Sequence, residues 1–455
     1  MIKNYKFENL KDLSNELDKL KFNDDTIFNK EIFGEVFTPF SLILDMFKTI
    51  PDNVFLNPNL KWMDPGSGIG NFSIILYFKL FESLSSVIDN EEQRKDHIIN
   101  NMLYMIEIRK ENINILKLLF GNKANIYELN FLEDIQSYIP QKFDMIIGNP
   151  PFNCNGIIKV PTKKNFSKKE DGKTIWSFFI KKSISLLKED TGKLCIFIPS
   201  IWLKPDKEKM YNFLTQFKIE YLTCFSNIEI KKIFKGKAQT PCCYFLLTNK
   251  NSDNIINIFE KQSNEYIDFK LNIKKEIPIP LCNIKIINIL LDYCYKYKNI
   301  DVIKTNLPSK NIIISSFKNK DFIFSNISTC LIKRNGENII PNLVINYSNK
   351  AMIGYGKEKL ILANKMYGIP ILDLSGIYGI SNRDNYIIYK NNIDDLIKLY
   401  NFLSTKLVQI VFNTTRYRMM YLEKYAFQFL PDITLIPDFP KIINDFTVNE
   451  FFNIN

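Results

Sequence analysis

The residues in this chain best suited to chemistry are Asn149-Pro150-Pro151-Phe152. Their types fit one task, the holding of a planar exocyclic amine. The Asn149 side-chain oxygen and the Pro150 carbonyl can each accept one amine hydrogen. Proline fixes φ, so these acceptors are aimed in advance, and Phe152 can stack on the ring that carries the amine. The preceding run, Phe143 to Gly148, reads as a short buried strand that ends in this turn. In a twisted parallel sheet, ligands sit just outside the carboxyl ends of strands. The plain alternative is a strand-ending turn that merely contains prolines.

A second group of residues lies upstream. Trp62-Met63-Asp64 reads as an apolar strand entering the turn Pro65-Gly66-Ser67-Gly68-Ile69-Gly70, with a helix after it. Glycines let backbone approach a ligand closely and accept positive φ. No Gly-Lys-Ser/Thr follows, so this is not a phosphate-binding loop. A carboxylate at the strand end, Asp64, disfavours phosphate and favours an ammonium group. The run Met102 to Ile106 is apolar until Glu107, which places that carboxylate at the end of the next strand, where it can take both hydroxyls of a ribose. A third strand ends in Asn130 and Phe131, which can bond an adenine edge and line its face. Upstream again, Thr38-Pro39 can begin a helix, with Thr38 as cap and Pro39 in its first position. Free amides at such a start can bind a carboxylate. An ordinary cap and a surface glutamate are the plain readings of Thr38 and Glu107.

The elements that must position these residues follow in order. Leu10, Leu13, Leu17 and Leu20 have helical spacing and predict an N-terminal helical extension over residues 1–30. Alternating strands and helices over residues 31–250 predict an α/β, doubly wound, Rossmann-like domain. Its later elements are a helix from Trp176 to Leu187 and strands at Gly192–Pro199, Ile219–Phe225 and Cys242–Leu247. Residues 153–175 form a basic loop with Lys163 and Lys164, either a phosphate-touching flap or a solvated insert. Residues 251–455 change character and predict a mixed α+β domain with short strands near Asn311–Ser315, Leu360–Leu362 and Tyr386–Tyr389. A helical stretch is expected from about Ile393 to Phe412. Arg416, Arg418 and Lys424 interleave with Tyr417, Tyr421 and Tyr425, as in a nucleic-acid surface or an ordinary mixed one. Asn364, Lys365, Asn382 and Arg383 are further candidate contacts.

Composition narrows the class. The 455 residues are 46% hydrophobic and 24% charged, the balance of a globular protein with a large core. A net charge of +11 favours a polyanionic partner. The abundance of Ile, Asn, Lys, Phe and Tyr reads first as AT-rich coding. Eight cysteines contain no Cys-x-x-Cys pair, and His97 is the one histidine, placed beside a charged run that reads as a solvated helix surface. A structural zinc site and a histidine triad are therefore not expected. The start, Met1-Ile2-Lys3-Asn4, has no signal-peptide pattern, and no apolar run nears the ~20 residues of a membrane span. A reducing cytoplasm, bacterial or of a virus-infected host, is the expected compartment.

Taken together, Gly34 to Pro39, Asp64 to Gly70, Glu107, Asn130-Phe131 and Asn149 to Phe152 resemble, in that order, the motifs of the gamma-class adenine-specific (N6) DNA methyltransferases of restriction-modification systems. The match covers roughly residues 30–250; the remainder resembles the family's target-recognition domain more loosely, through Tyr425 to Pro431. The resemblance implies S-adenosyl-L-methionine as cofactor. Asp64, Gly66, Gly68 and Gly70 would hold its methionine part with Thr38 near the carboxylate, Glu107 the ribose, and Asn130 and Phe131 the adenine. The family more often has Asp where Asn130 stands. It also implies that a flipped-out adenine lies between Phe152 and Phe234, with Asn149 and Pro150 on its amine.

The implied partner is double-stranded DNA, bound by a single copy of the chain, with a separate cognate restriction nuclease as a further candidate; no membrane and no metal are implied. Three other readings remain open: the same chemistry on RNA, the same chemistry on protein glutamine, and a DNA-binding subunit with reduced catalysis. Pro205 to Lys209 superficially resembles a metal-nuclease pattern and is read as a solvated charge run on a helix.

Overall fold

Five parallel strands form the centre of the fold, and their sequence explains why. Met63, Leu103, Met105, Ile106, Ile146, Ile147, Leu194 and Ile196 are all buried. Successive strand residues point to opposite faces, so continuous burial means that both faces are covered. In this computed structural model the strands are β1 Trp62–Asp64, β2 Leu103–Glu107, β3 Asn125–Glu128, β4 Met145–Gly148 and β5 Lys193–Pro199, followed by β6 Phe217–Phe225, β7 Cys242–Asn251 and β8 Ile255–Glu260. The structure describes residues 2–20, 36–133, 135, 137–139, 141–154, 173–335, 338–363, 368–418 and 421–454.

The side-by-side order of these eight is β3-β2-β1-β4-β5-β7-β6-β8, with Glu265–Lys270 as a ninth strand beside β8. β1 pairs in parallel with both β2 and β4, and β4 continues in parallel to β5. β7 then runs antiparallel between β5 and β6. The chain order therefore reverses at β1/β4, the switch point at whose carboxyl edge ligands bind in open α/β sheets. The helices of this unit include α1 Leu10–Leu20, α2 Phe40–Phe47, α3 Asn71–Ser83, α4 Lys110–Phe120, α5 Trp176–Leu186 and α6 Asn227–Ile233. One face of the sheet, through Leu103, Met105, Met145, Ile147, Cys195 and Phe197, shares a core with α2, α3 and α4.

The chain divides into two compact units, Met1–Phe259 and Glu260–Asn455. The second contains two small sheets. One is antiparallel, in the order Ile303–Lys304, Tyr386–Ile388, Lys359–Leu362, Pro370–Asp373. The other is built on a long hairpin, Phe324–Asn335 with Asn338–Ser348. Its helices include Ile284–Tyr297, Ile393–Leu403, Lys406–Thr414 and Asp445–Phe451.

Local chemistry departs from expectation at several places. The single helix expected from Ile393 to Phe412 breaks at Ser404-Thr405, whose hydroxyls donate back to the Tyr400 and Phe402 carbonyls; such side-chain bonds compete with helix continuation. Pro205 to Lys209 is a turn rather than a helix. Asp206 there accepts from the Glu208 and Tyr211 amides and so caps the following helix, Met210–Leu214. His97 is half-buried, not a solvated surface: its Nε2 lies 2.8 Å from the Pro58 carbonyl, which can only accept, so that nitrogen donates. Tyr417 is buried with its hydroxyl on the Ile279 carbonyl at 2.7 Å, which removes it from any nucleic-acid surface.

Candidate active site

Asp64 ends β1 and is 2% exposed. Its Oδ1 accepts from the Gly66 amide at 3.3 Å, while Oδ2 is buried with no hydrogen-bond partner among the described residues. Burial pushes its carboxyl pKa up to about 8, the Gly66 amide draws it down, and the nearby Glu107 charge raises it again. A buried carboxylate oxygen without a donor is costly alone and is the natural partner of a cation's N–H.

The glycine turn is shaped by its neighbours. Gly70 has φ +93°, and a Cβ there would lie 2.8 Å from Leu116 Cδ2 on α4, so only glycine lets the turn seat against that helix. Gly68 has φ +54° and faces the Phe37 ring, which a Cβ would meet at 3.2 Å. Glu107 ties the turn to the end of β2. Its Oε2 accepts from the Gly68 amide at 2.7 Å, and its Oε1 from the Ile108 and Arg109 amides at 2.9 and 2.8 Å. That bracing of the loop is invisible in the spacing of the sequence.

Asn149 follows β4 directly. Its Nδ2 donates to Thr38 Oγ1 at 3.0 Å and to the Val36 carbonyl at 3.4 Å. Because a carbonyl can only accept, the amino end of the amide faces Val36, and Oδ1 is the free end. That oxygen is buried and has no partner among the described residues. Thr38 itself is 3% exposed. Its hydroxyl does not cap a helix: α2 begins after Pro39 with no side-chain cap, and the Thr38 hydroxyl holds Asn149 instead.

The aromatic residues converge unevenly. A Cβ on Gly66 would meet Pro151 Cδ at 3.7 Å and Phe179 Cε1 at 3.9 Å. Phe179 also stacks on Phe131, with centroids 5.1 Å apart. Gly66, Pro151, Phe179 and Phe131 thus share one wall. Phe179 lies in the first turn of α5 and was not legible as a site residue; its signal is its place just after the basic loop. Phe152 is half-buried and stacks on Phe197 at 6.5 Å. Phe234, just past α6, is buried and tilted against the same Phe197 at 5.8 Å.

Asn130 is engaged in its own turn, with Nδ2 on Glu133 Oε1 at 3.0 Å and Oδ1 on the Leu132 amide at 3.1 Å.

The first unit therefore brings Thr38, Asp64, Gly66, Gly68, Gly70, Glu107 and Asn149 together at the switch point, with Pro151 beside Gly66, while Phe152 and Phe234 meet at Phe197. Lys163, Lys164, Asn364 and Lys365 lie outside the described residues. In the second unit Arg383 and Arg418 are exposed and Arg416 is half-buried. Arg418 Nε lies 3.7 Å from Glu423, and Arg383 Nε 3.6 Å from Asp384. Among the described residues no cluster of His, Cys, Asp and Glu could hold a metal ion, and no helix is long and apolar enough to cross a membrane.

Comparison with known proteins gives the same segment. Residues 36–234 match the family model described as the Eco57I restriction-modification methylase. An uncharacterized adenine-specific methylase of Mycoplasma pneumoniae is 33% identical over 86 residues, which cover 19% of this chain and 20% of that one. The chain thus matches about one fifth of the length of this curated relative. Two solved structures are similar at low identity. The type IIL restriction-modification enzyme MmeI in complex with DNA matches at 15% identity and TM-score 0.45, over 86% of this chain and 65% of that one. A modification subunit of a type I restriction enzyme of Vibrio vulnificus matches at 16% identity and TM-score 0.40, over 59% and 54%.

Proposed function

We propose that the chain is a site-specific DNA methyltransferase that transfers a methyl group to the N6 amine of adenine, a reading supported by the match of residues 36–234 to the Eco57I restriction-modification methylase model. The observation that carries this reading is Asn149. Its amino end is occupied by Thr38 and Val36, and its carbonyl end is buried without a partner among the described residues, at the carboxyl edge of the sheet's switch point. An acceptor held this way suits an incoming N–H.

The residues present fit S-adenosyl-L-methionine as donor. The unpaired Asp64 Oδ2 suits its ammonium group, and the Gly66–Gly70 turn lies directly beside it. Glu107, which braces the glycine turn through the Gly68 amide, is our candidate for the ribose hydroxyls. Phe131 and Asn130 remain our candidates for the adenine side, Asn130 on condition that its bonds to Glu133 and Leu132 exchange. When bound, the donor supplies a methyl on a sulfonium centre, with a neutral thioether as leaving group.

The chain's own part is positioning. The amine of adenine is a weak nucleophile because its lone pair is delocalised into the ring. Hydrogen bonds from that amine to Asn149 Oδ1 and the Pro150 carbonyl favour tetrahedral nitrogen and free the lone pair. Holding the nitrogen in one place would lower the barrier further, and the methyl replaces one amine hydrogen, which is released to solvent as a proton. Bringing a duplex base to this site requires flipping it out, at a few kcal/mol. Stacking on Phe152 returns about 1–3 kcal/mol. Phe234 joins as the second wall only if the packing around Phe197 opens. We assign the second unit to target recognition, with Arg383, Arg416 and Arg418 as candidate contacts, and double-stranded DNA as partner to one copy of the chain.

The test is incubation of the chain with methyl-labelled donor and, separately, unmethylated duplex DNA, RNA and protein extract, with digestion and mass spectrometry of each product. N6-methyladenine from DNA is expected, with a loss of about 10²–10³-fold in Asn149→Ala and donor affinity nearly unchanged by calorimetry. Label in RNA or glutamine would reassign the substrate and the second unit.

A further inference from the structure

The hydroxyl of Thr38 accepts from Asn149 Nδ2 at 3.0 Å, and the Thr38 carbonyl accepts from Asn71 Nδ2 at 2.8 Å. Asn71 is the first residue of α3, directly after Gly70. Thr38 is therefore held between the glycine turn and the turn after β4, and it is almost fully buried. Rotation of the Asn149 amide by a half-turn would place its oxygen against the Val36 carbonyl and leave its amino group where an amine must be accepted. The Val36 carbonyl, which can only accept, disfavours that state, while the Thr38 hydroxyl, which can accept or donate, tethers the amide in place. Only the hydroxyl is a side-chain choice, so it is the element a substitution can remove.

We infer that Thr38 is a positioning residue that holds the Asn149 side chain in place, its amide orientation being set by the Val36 carbonyl, and that Asn71 fixes Thr38. Thr38 then acts on the acceptor amine through Asn149, where its position at a helix start suggests only a contact to a donor carboxylate. The inference deepens the methyltransferase reading and rests on it. In this arrangement the Thr38 hydroxyl accepts a bond that is present before any substrate arrives, so its loss leaves ground-state binding of donor and DNA intact. What is lost is the fraction of molecules in which the Asn149 side chain stands where its oxygen can meet the amine.

The experiment compares Thr38→Val, Thr38→Ser and the unaltered chain for kcat and KM on adenine-containing duplex DNA, with donor Kd by calorimetry and thermal melting as a check on folding. Thr38→Val is expected to lose about 10–10²-fold in kcat, the scale of one buried hydrogen bond, with donor Kd and DNA KM within about twofold. Thr38→Ser, which keeps the hydroxyl, is expected to restore most of the rate. If Thr38→Val fails to fold, Thr38→Ala takes its place. Donor affinity that falls as far as kcat would overturn the inference in favour of a direct donor contact, and so would full activity of the Val variant. No methyladenine from the unaltered chain would remove the methyltransferase reading, and the inference with it.

Discussion

Asp64 and Asn149 stand at the carboxyl ends of two adjacent parallel strands, and each buries one side-chain oxygen that has no hydrogen-bond partner among the described residues. A native fold satisfies most of its buried polar atoms, and each exception asks for a reason. Here two exceptions sit at the one edge where this sheet topology binds ligands. One oxygen belongs to a carboxylate and suits a cation; the other belongs to a neutral amide and suits a neutral N–H. Their difference in charge is what supports our proposal of the donor's ammonium group at Asp64 and the acceptor amine at Asn149.

The raised Asp64 pKa makes donor binding pH-dependent. With the free carboxyl titrating near pH 8, a cationic ligand needs the ionised form, so donor affinity is expected to rise by up to about tenfold per unit from pH 6 to 8 and to level above. Calorimetry across that range checks this, and Asp64→Asn is expected to bind weakly with no such slope. Equal affinity at pH 6 and 8 would count against an Asp64–ammonium pair.

The same shift has an opposite effect on the unliganded fold. An acid with a folded pKa above its unfolded value of about 3.9 binds more protons when folded. Its stabilising contribution is complete below about pH 4 and is lost as pH rises to about 8. Asp64→Asn is expected to melt higher than the unaltered chain at pH 8, with the difference shrinking toward pH 5. A difference that grows as pH falls would contradict this.

Gly70 is predicted to tolerate no side chain. Its φ of +93° and the 2.8 Å approach to Leu116 combine backbone strain with overpacking. Gly70→Ala is expected to destabilise the first unit by about 2–4 kcal/mol and to weaken donor binding, as read by chemical denaturation and calorimetry. Gly121→Ala provides the control: φ is +91° there too, but nothing lies within 4 Å of the added carbon, so only the strain is incurred.

In the second unit Lys359 and Asp373 form a fully buried ion pair at 2.5 Å, and Asp373 also accepts from the Ile377 and Tyr378 amides. Removing one partner leaves an uncompensated buried charge. Lys359→Met is expected to cost about 3–5 kcal/mol, whereas adding Asp373→Leu to it recovers most of that loss. Denaturation of both variants decides; equal damage in single and double variants would mean that the Asp373 bonds to the two amides dominate.

Binding to DNA is expected to weaken steeply with salt, with a log–log slope near −0.9 for each phosphate contact. Arg383→Ala and Arg418→Ala are each expected to lower that slope by about one if they meet phosphate. A flat salt profile would remove the basic surface from the recognition role.

The chain's sequence alone determined the central α/β sheet and the membership of its carboxyl edge. Continuous apolar runs of β-strand length can be satisfied only by burial on both faces, and a strand-end Asp, Glu or Asn has one edge at which to emerge. The glycine turn was legible for a related reason, since positive φ and close approach restrict Gly68 and Gly70 to one residue type.

What the tertiary structure decided lies in pairings between distant segments. The partner of Asn149 is Thr38, 111 positions away, and the brace on Glu107 is the Gly68 amide, 39 positions away. No local pattern encodes such distances. The long hairpin from Phe324 to Ser348 escaped the reading of short strands, because its length depends on cross-strand pairing more than on either strand's own pattern. Burial of Tyr417 and Phe234 likewise follows from packing: an aromatic side chain reads the same in sequence whether its ring meets solvent, a base or a core.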